Sequence, residues 1–279
     1  MEHVFSRVSS SDGADLVVRR IGSAAFLFKR LDPLMSTWAQ LIDVKSKLGL
    51  SEVLQEVSHF NFHLYHHTSA SPLQQDVEVV LHQLTHIVDS EKDMYIPDGE
   101  FDMPLFSNRA NTIFVHSQPT APVDCKRVFY GLSVKNYSGY NLFPYLIYFD
   151  PSDYSMQVMS LYLHVTCYAY IALQFWYHPS AAASSAPLAA RYGDGRPSEL
   201  SVGYGEADVD ALEFSLPEGT TSDVGFLRLF VTTTYIDMTV VEQSSPFFAA
   251  RGAKKMRPPP FNIWDAWTYV LRTEETRSK

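Results

Sequence analysis

With 279 residues, 46% of them hydrophobic and 14% aromatic, the chain can fill the core of one large domain or two small ones and is too apolar to be disordered. Its formal net charge of −9 argues against a nucleic-acid surface, because phosphate binding needs a basic field. Two cysteines, Cys125 and Cys167, give no disulfide framework, and the opening MEHVFSRVSSSDGADL lacks an apolar signal-peptide core, so an intracellular location is expected.

Along the chain, Asp15–Arg20 (DLVVRR) reads as a short strand. Ser36–Val44 and Ser51–Val57 carry helix-like spacing, with Trp38, Leu41 and Ile42 on one face, so residues 1–57 form a partly helical N-terminal segment. From Ser58 the period becomes two: Phe60, Phe62 and Leu64 point one way, His59, Asn61, His63, Tyr65 and His67 the other. That predicts a strand, paired antiparallel with the next run, DVEVVLHQLT, where Val77, Val79 and Leu81 share a side. Asp89–Asn108 is turn-rich, with Pro97-Asp98-Gly99 and Pro104. Strands are then predicted at Thr112–His116, Arg127–Lys135, Leu142–Phe149, Leu200–Tyr204, Ala211–Leu216, Phe226–Tyr235 and Trp264–Arg272. Pro179–Pro197 reads as a mobile surface loop, and Ala249–Pro260 as an extended, basic, proline-locked connector.

Turn signals at this spacing predict a mainly β protein, an antiparallel β-sandwich over 58–279, with 58–116 and 127–279 as candidate subdomains. The aromatic residues Tyr145, Tyr148, Phe149, Tyr154, Phe226, Phe230 and Tyr235 alternate along these strands and are expected to fill the space between two sheets. The immunoglobulin-like and jelly-roll strand orders stay open, since local patterns do not encode strand order.

The most informative stretch is NLFPYLIYFDPSDYS (Asn141–Ser155), a dense aromatic strand closed by an Asp-Pro-Ser-Asp turn. Together with SELSVGYG (Ser198–Gly205), DVGFLRLFVTTTYIDMTVVEQSSPF (Asp223–Phe247) and SHFNFHLYHH (Ser58–His67), it resembles a β-rich domain of basidiomycete fungi. That domain usually sits C-terminal to a caspase-like (metacaspase-type) peptidase domain. The resemblance runs from about Lys45 onward. It implies a non-catalytic accessory or interaction module, with a protein partner that is a peptidase domain or its complex. The signature residues it singles out are structural: Phe143, Pro144, Tyr148, Asp150, Pro151, Gly203, Gly205, Gly225, Phe226 and Phe230.

No catalytic motif competes strongly. His59, His63 and His67 have the i, i+4 spacing of a helical zinc site, but on the expected strand they would stand about 13 Å apart, far beyond ligand distances of roughly 2 Å. His82 and His86 fail likewise, and neither metal nor cofactor is expected. Cys125 (Val-Asp-Cys-Lys) and Cys167 (inside an apolar run) lack the His-Gly and Ala-Cys contexts of caspase-like peptidases, so a divergent or truncated cysteine peptidase is the first alternative function. There is no Gly-X-Ser-X-Gly elbow, and Gly203-Tyr204-Gly205 suits a bulge or tight turn rather than a phosphate loop. Asp150, Asp153, Asp208, Asp210 and Asp223 would have to gather at loop ends to bind calcium, and turn formation is their default. Arg251, Lys254, Lys255 and Arg257 form the sole cationic cluster, read as a solvated linker. A lectin-like or lipid-binding sandwich is the second alternative and would require exposed aromatics.

One stretch departs from the resembled pattern. Val158–Gln174 (VMSLYLHVTCYAYIALQ) is uncharged, somewhat short of the roughly 20 residues of a membrane span, and β-prone enough for a long strand. Valine codons begin with GT and glutamine can be encoded by CAG, so a translated in-frame intron fits its two ends best. In that reading the natural protein joins Gln157 nearly directly to Phe175-Trp176, and nothing functional rests on Cys167 or His164.

Overall fold

In a computed structural model, the described residues are 14, 16–21, 25–31, 38–43, 50–68, 70–89, 92–104, 112–116, 128–159, 187–205, 211–214, 216, 220–246 and 264–274. In chain order they form β1 (Leu16–Ile21), β2 (Ala25–Arg30), β3 (Trp38–Asp43), α1 (Leu50–Tyr65), β4 (Val77–Asp89), β5 (Lys92–Pro104), β6 (Thr112–His116), β7 (Phe129–Asn136) and β8 (Phe143–Asp150). There follow β9 (Ser155–Met159), β10 (Ser198–Val202), β11 (Ser222–Thr232), a 3₁₀ turn at Met238–Val241, and β12 (Trp264–Glu274).

The protein is mainly β, with largely antiparallel sheets packed against each other as a β-sandwich. One sheet has the order β10-β7-β4-β5 and the other β6-β12-β11-β8-β9, where only the β6–β12 pair is parallel. Strands from 58–116 and from 127–279 are interleaved in both sheets, since β4 pairs with β7 and β6 with β12.

Period-two alternation builds the core between the sheets. Val77, Val79 and Leu81 of β4 and Leu132 and Val134 of β7 meet Leu146 of β8, Leu227, Leu229 and Val231 of β11, and Tyr269 and Leu271 of β12. A second core lies on the other side of the five-stranded sheet. There Ile147 and Phe149, Phe226 and Phe230, and Val270 are covered by Val53, Val57, Phe60 and Leu64 of α1 and by Phe28 of β2. Most of the aromatic rings expected between the two sheets therefore sit under the helix instead. Phe149, Tyr154, Phe226 and Phe230 belong to this second core, Tyr148 faces the first, and Tyr235 is exposed.

The sharpest difference from the sequence reading is Ser58–Tyr65, which continues α1 rather than starting a strand. Phe60, Phe62 and Leu64 do alternate, but Val53, Val57, Phe60 and Leu64 lie at i, i+4, i+7 and i+11, one helical stripe, and those four are buried. Burying that stripe on the five-stranded sheet decides between the two periods, and the boundary at 57/58 falls inside the helix. β4 consequently pairs with β5 and β7 instead of with this segment. Trp38–Asp43 goes the opposite way: expected as helix, it is β3, paired with β2 in a separate sheet of order β1-β2-β3.

Asp89–Asn108 was expected as turns. Most of it is β5, because the Pro97-Asp98-Gly99 signal marks an irregularity where the register jumps from Leu84↔Pro97 to His82↔Asp102. Gly99 has φ +73 there, backbone that favours glycine. Among the described residues of 211–216 there is no strand, and Leu212 makes an isolated bridge to Tyr130. The end of the expected mobile loop, residues 187–197, is pinned. Leu188 pairs with Leu142 and is buried, and the Asn136 Nδ2 donates to the carbonyls of Ala189 (2.7 Å) and Tyr140 (2.8 Å). Composition alone hides this anchor, in which Leu188 and the buried Asn136 are joined by hydrogen bonds from Ala190 N–H to Asn141 and from Arg191 N–H to the Ser138 carbonyl. The connector 249–260 lies outside the described residues, as does Val158–Gln174 beyond Met159, where β9 ends.

Candidate functional site

The signature residues of β8 and β11 converge, and two clusters form on opposite sides of the five-stranded sheet. On the sandwich side, Tyr148 lies across Gly225: a Cβ there would stand 2.4 Å from the Tyr148 Oη. Asp150 and Asp223 share this end of the sheet, and Asp153 follows in the β8–β9 turn. Asp150 accepts from the Ser152 N–H (2.7 Å) and Asp153 from the Ser155 N–H (2.8 Å), so each carboxylate shapes its own turn. Pro151 is buried between them. Burial, and next the neighbouring Asp153 carboxylate, push the Asp150 carboxyl up to about 7 against the opposing pull of Ser152. Asp153 and Asp223 are also raised, chiefly by burial, and burial holds the Tyr148 hydroxyl well above its ordinary value and so protonated.

The sign of the resulting pH dependence follows from the raised pKa. In the native state Asp150 keeps its proton above the unfolded value of 3.8, so its contribution to stability is full below that value and is lost as pH rises through about 7. Asp150→Asn retains an oxygen for Ser152 and removes the charge. The variant is expected to flatten that loss and, because the residue is partly exposed, to gain only about 1–2 kcal/mol at about pH 8 over the wild type. Urea unfolding of both proteins from about pH 5 to pH 8 checks it; parallel curves would remove the carboxyl from this role.

On the helix side, the guanidinium of Arg30 lies over the rings of Phe60 (5.0 Å), Tyr154 (5.2 Å) and Phe226 (5.9 Å). It is buried, and its Nη2 donates to the Tyr65 hydroxyl at 3.2 Å. Tyr154 holds its ring there from a left-handed backbone, φ +58, which a tyrosine adopts only at a cost of order 1 kcal/mol. Gln243 grips this turn: its Nε2 donates to the Tyr154 carbonyl (2.6 Å) and its Oε1 accepts from His59 Nδ1–H (2.8 Å).

A second buried arginine, Arg228 of β11, closes the C-terminal end of α1. Its guanidinium donates to the carbonyls of Leu64 and His66 and to Thr268 Oγ1 (2.8 Å), and packs 4.7 Å from the centre of Phe230. A cation suits the negative end of a helix dipole. Burial pulls its pKa down to about 9, which leaves it charged at neutral pH.

Because α1 is helical, His59 and His63 are not held apart as on a strand but touch edge to face at 4.6 Å. His67 lies past the helix end, with Nδ1 3.0 Å from the Tyr65 carbonyl. Among the described residues no group of three His, Cys, Asp or Glu is arranged to hold a metal ion. On the other sheet, His82 Nε2 lies 2.9 Å from Ser133 Oγ in a buried pair beside Tyr204. The Tyr204 ring covers Gly131, where a Cβ would stand 2.5 Å from it. Gly203 (φ +82) and Gly205 (φ +78) turn the chain on either side of that ring.

Of the other signature residues, Phe143 meets Tyr235 edge to face and Phe230 supports Arg228. Pro144, opposite Val231 of β11, falls beyond the last described β8–β9 pair, Leu146↔Met159. Cys125, Cys167, His164, Asp208, Asp210 and the basic residues 251–257 lie outside the described residues. The sequence reading missed Arg30 and Arg228, although each carries a signal: a charge at the core-facing position of an apolar alternation, Phe26-Phe28-Arg30 and Phe226-Arg228-Phe230. No described helix is long and apolar enough to cross a membrane. No protein-family model matches the chain, and neither does any curated protein or solved structure.

Proposed function

We propose that the chain is a non-catalytic interaction module, similar to the β-rich domain that accompanies fungal caspase-like peptidases, and that its partner is a protein. The observation that supports this reading is the far end of the β4–β5 hairpin. β4 pairs with β7 only as far as Leu84, whereas its pairing with β5 continues to Asp89↔Lys92. Among the described residues, the hairpin beyond Leu84 is a two-stranded ribbon. Ile87 pairs with Met94 and Thr85 with Ile96, which puts Ile87, Met94 and Ile96 on one face. It is the same side of β4 that carries Val77, Val79 and Leu81 into the core, here left with Ile87 39% and Ile96 36% exposed. An apolar stripe that runs out of a core onto a partly exposed arm is a natural place for a partner to complete. At the arm's base Tyr95 stacks on His86 (4.6 Å) and meets Phe129 (4.8 Å), which stiffens it.

The test is titration of the full chain with a caspase-like peptidase domain of the resembled fungal kind. The Ile87→Lys/Ile96→Lys variant is expected to bind at least about tenfold more weakly, with its melting temperature little changed because both sites are exposed. No saturable binding by the wild type would sink the partner assignment. Cleavage of peptides by the chain alone, lost on replacing Cys125 or Cys167 with alanine, would instead favour the peptidase alternative.

The lectin-like alternative has one observation on its side. Tyr140 (52% exposed) and Tyr192 (55% exposed) belong to loops that are tied together through Asn136, Asn141 and Ala190. Exposed tyrosines beside Asn141, Asp194 and Arg196 are the chemistry of sugar stacking, and a glycan array separates this reading from the first.

A further inference from the structure

We propose that Phe60, Tyr154 and Phe226 form a cation-binding cage that Arg30 fills in cis, and that the arginine side chain of a basic peptide takes Arg30's place when the β1-β2-β3 sheet lifts away. Three rings around one guanidinium, at 5.0, 5.2 and 5.9 Å, are the arrangement by which proteins recognise cationic side chains, since each ring turns its negative face to the charge.

The cage is built without Arg30. Its rings come from α1, the β8–β9 turn and β11. Phe60 contacts Tyr154 (5.1 Å) and Phe149 (5.2 Å) edge to face, which fixes the ring planes. Tyr154 is held in its left-handed conformation by Gln243, a residue that also binds the Glu56 carbonyl (3.3 Å) and His59 of the helix. A strained backbone persists only where its surroundings over-determine it, so the position of the Tyr154 ring is specified.

The occupant, by contrast, comes from an element with its own hydrogen-bond ladder. β2 pairs with β1 on one side and β3 on the other, and among the described residues none of these strands pairs with either sheet of the sandwich. Among the described contacts, this sheet is fastened to the sandwich by side-chain packing, led by Phe28 and Arg30 with Leu16, Val18 and Phe26 beside them, and by the Arg30–Tyr65 hydrogen bond. It can therefore leave without breaking a ladder. Tyr65, a residue 37% exposed, accepts from Arg30 through its hydroxyl now; it would accept from the incoming guanidinium in the same way.

The experiment uses the full chain with Arg30→Ala and titrates N-acetyl-arginine amide, with the uncharged norleucine amide as control, by calorimetry. The variant is expected to bind the arginine amide saturably and about tenfold or more tighter than the wild type, and to ignore norleucine. Equal affinities of variant and wild type, or equal affinity for the two amides, would overturn the proposal. Should the variant not fold, hydrogen exchange on the wild type decides. Added arginine amide must deprotect the amides of β1–β3 while α1 stays protected, and unchanged exchange overturns the assignment.

Discussion

Gly225→Val is expected to cost about 3 kcal/mol or more, with most of the loss recovered when Tyr148 is shortened at the same time. A Cβ at position 225 would lie 2.4 Å from the Tyr148 Oη and 2.5 and 2.7 Å from ring carbons, so the tyrosine must leave its place. It has little room to do so, because its ring sits in the space between the two sheets beside Leu146 and Leu227. Glycine inside a strand is normally a weakness, and here it is the only residue that lets the ring lie flat on the β11 backbone. The single variants Gly225→Val and Tyr148→Leu and their double mutant, compared by urea unfolding, form a cycle. A coupling near zero would mean that the ring does not depend on the glycine.

The second large effect belongs to Arg228. Replacing it with methionine keeps most of the apolar stem over Phe230 but leaves the His66 carbonyl without its Arg228 donor and the Leu64 carbonyl with only the Thr268 hydroxyl at 3.5 Å. A lost buried hydrogen-bond partner costs about 1–3 kcal/mol each, set against relief from holding a charge out of water, so a net loss of about 2–4 kcal/mol is expected. Lysine should recover little, since a single ammonium cannot reproduce a fork that serves two carbonyls and a threonine at once. A spectroscopic signature accompanies the loss. His66 is held below its ordinary pKa first by burial and then by the positive charges of Arg228 and His67, so Arg228→Met should raise it. An unchanged His66 titration in a folded variant would contradict this account of the helix end.

The alternating strands of the sandwich are legible in the sequence because burial on one face writes a period of two directly into residue order. β4, β7, β8, β11 and β12 all lie where that pattern puts them, to within a few residues. The pattern fails where two periods coexist. In Ser58–Tyr65 the alternation of Phe60, Phe62 and Leu64 is genuine, and only the sheet beneath Val53, Val57, Phe60 and Leu64 selects the helix. Trp38–Asp43 is the converse, a short run whose helical spacing loses to pairing with β2. The convergence of Tyr148, Asp150 and Gly225 was half visible, since these residues stood out in their motifs while the register that joins them, Phe226↔Phe149, was not. The cage around Arg30 was invisible, because it joins residues separated by 30 to almost 200 positions in the chain. Local patterning has no access to such distances.

The place of β12 sets a timetable for folding. Trp264–Glu274 pairs antiparallel with β11 on one flank and is the only described neighbour of β6 on the other, so Thr112–His116 must wait for residues more than 150 positions later. As the chain leaves the ribosome, β4, β5 and β7 can assemble early through near neighbours, while the larger sheet stays unfinished, with β11 open along one edge. Such long-range closure makes for slow folding and a prolonged interval in which an apolar strand edge is exposed to other chains. β12, the last of the described strands, is thus the latch of the sandwich, and until it closes an apolar strand edge of the nascent chain is left open.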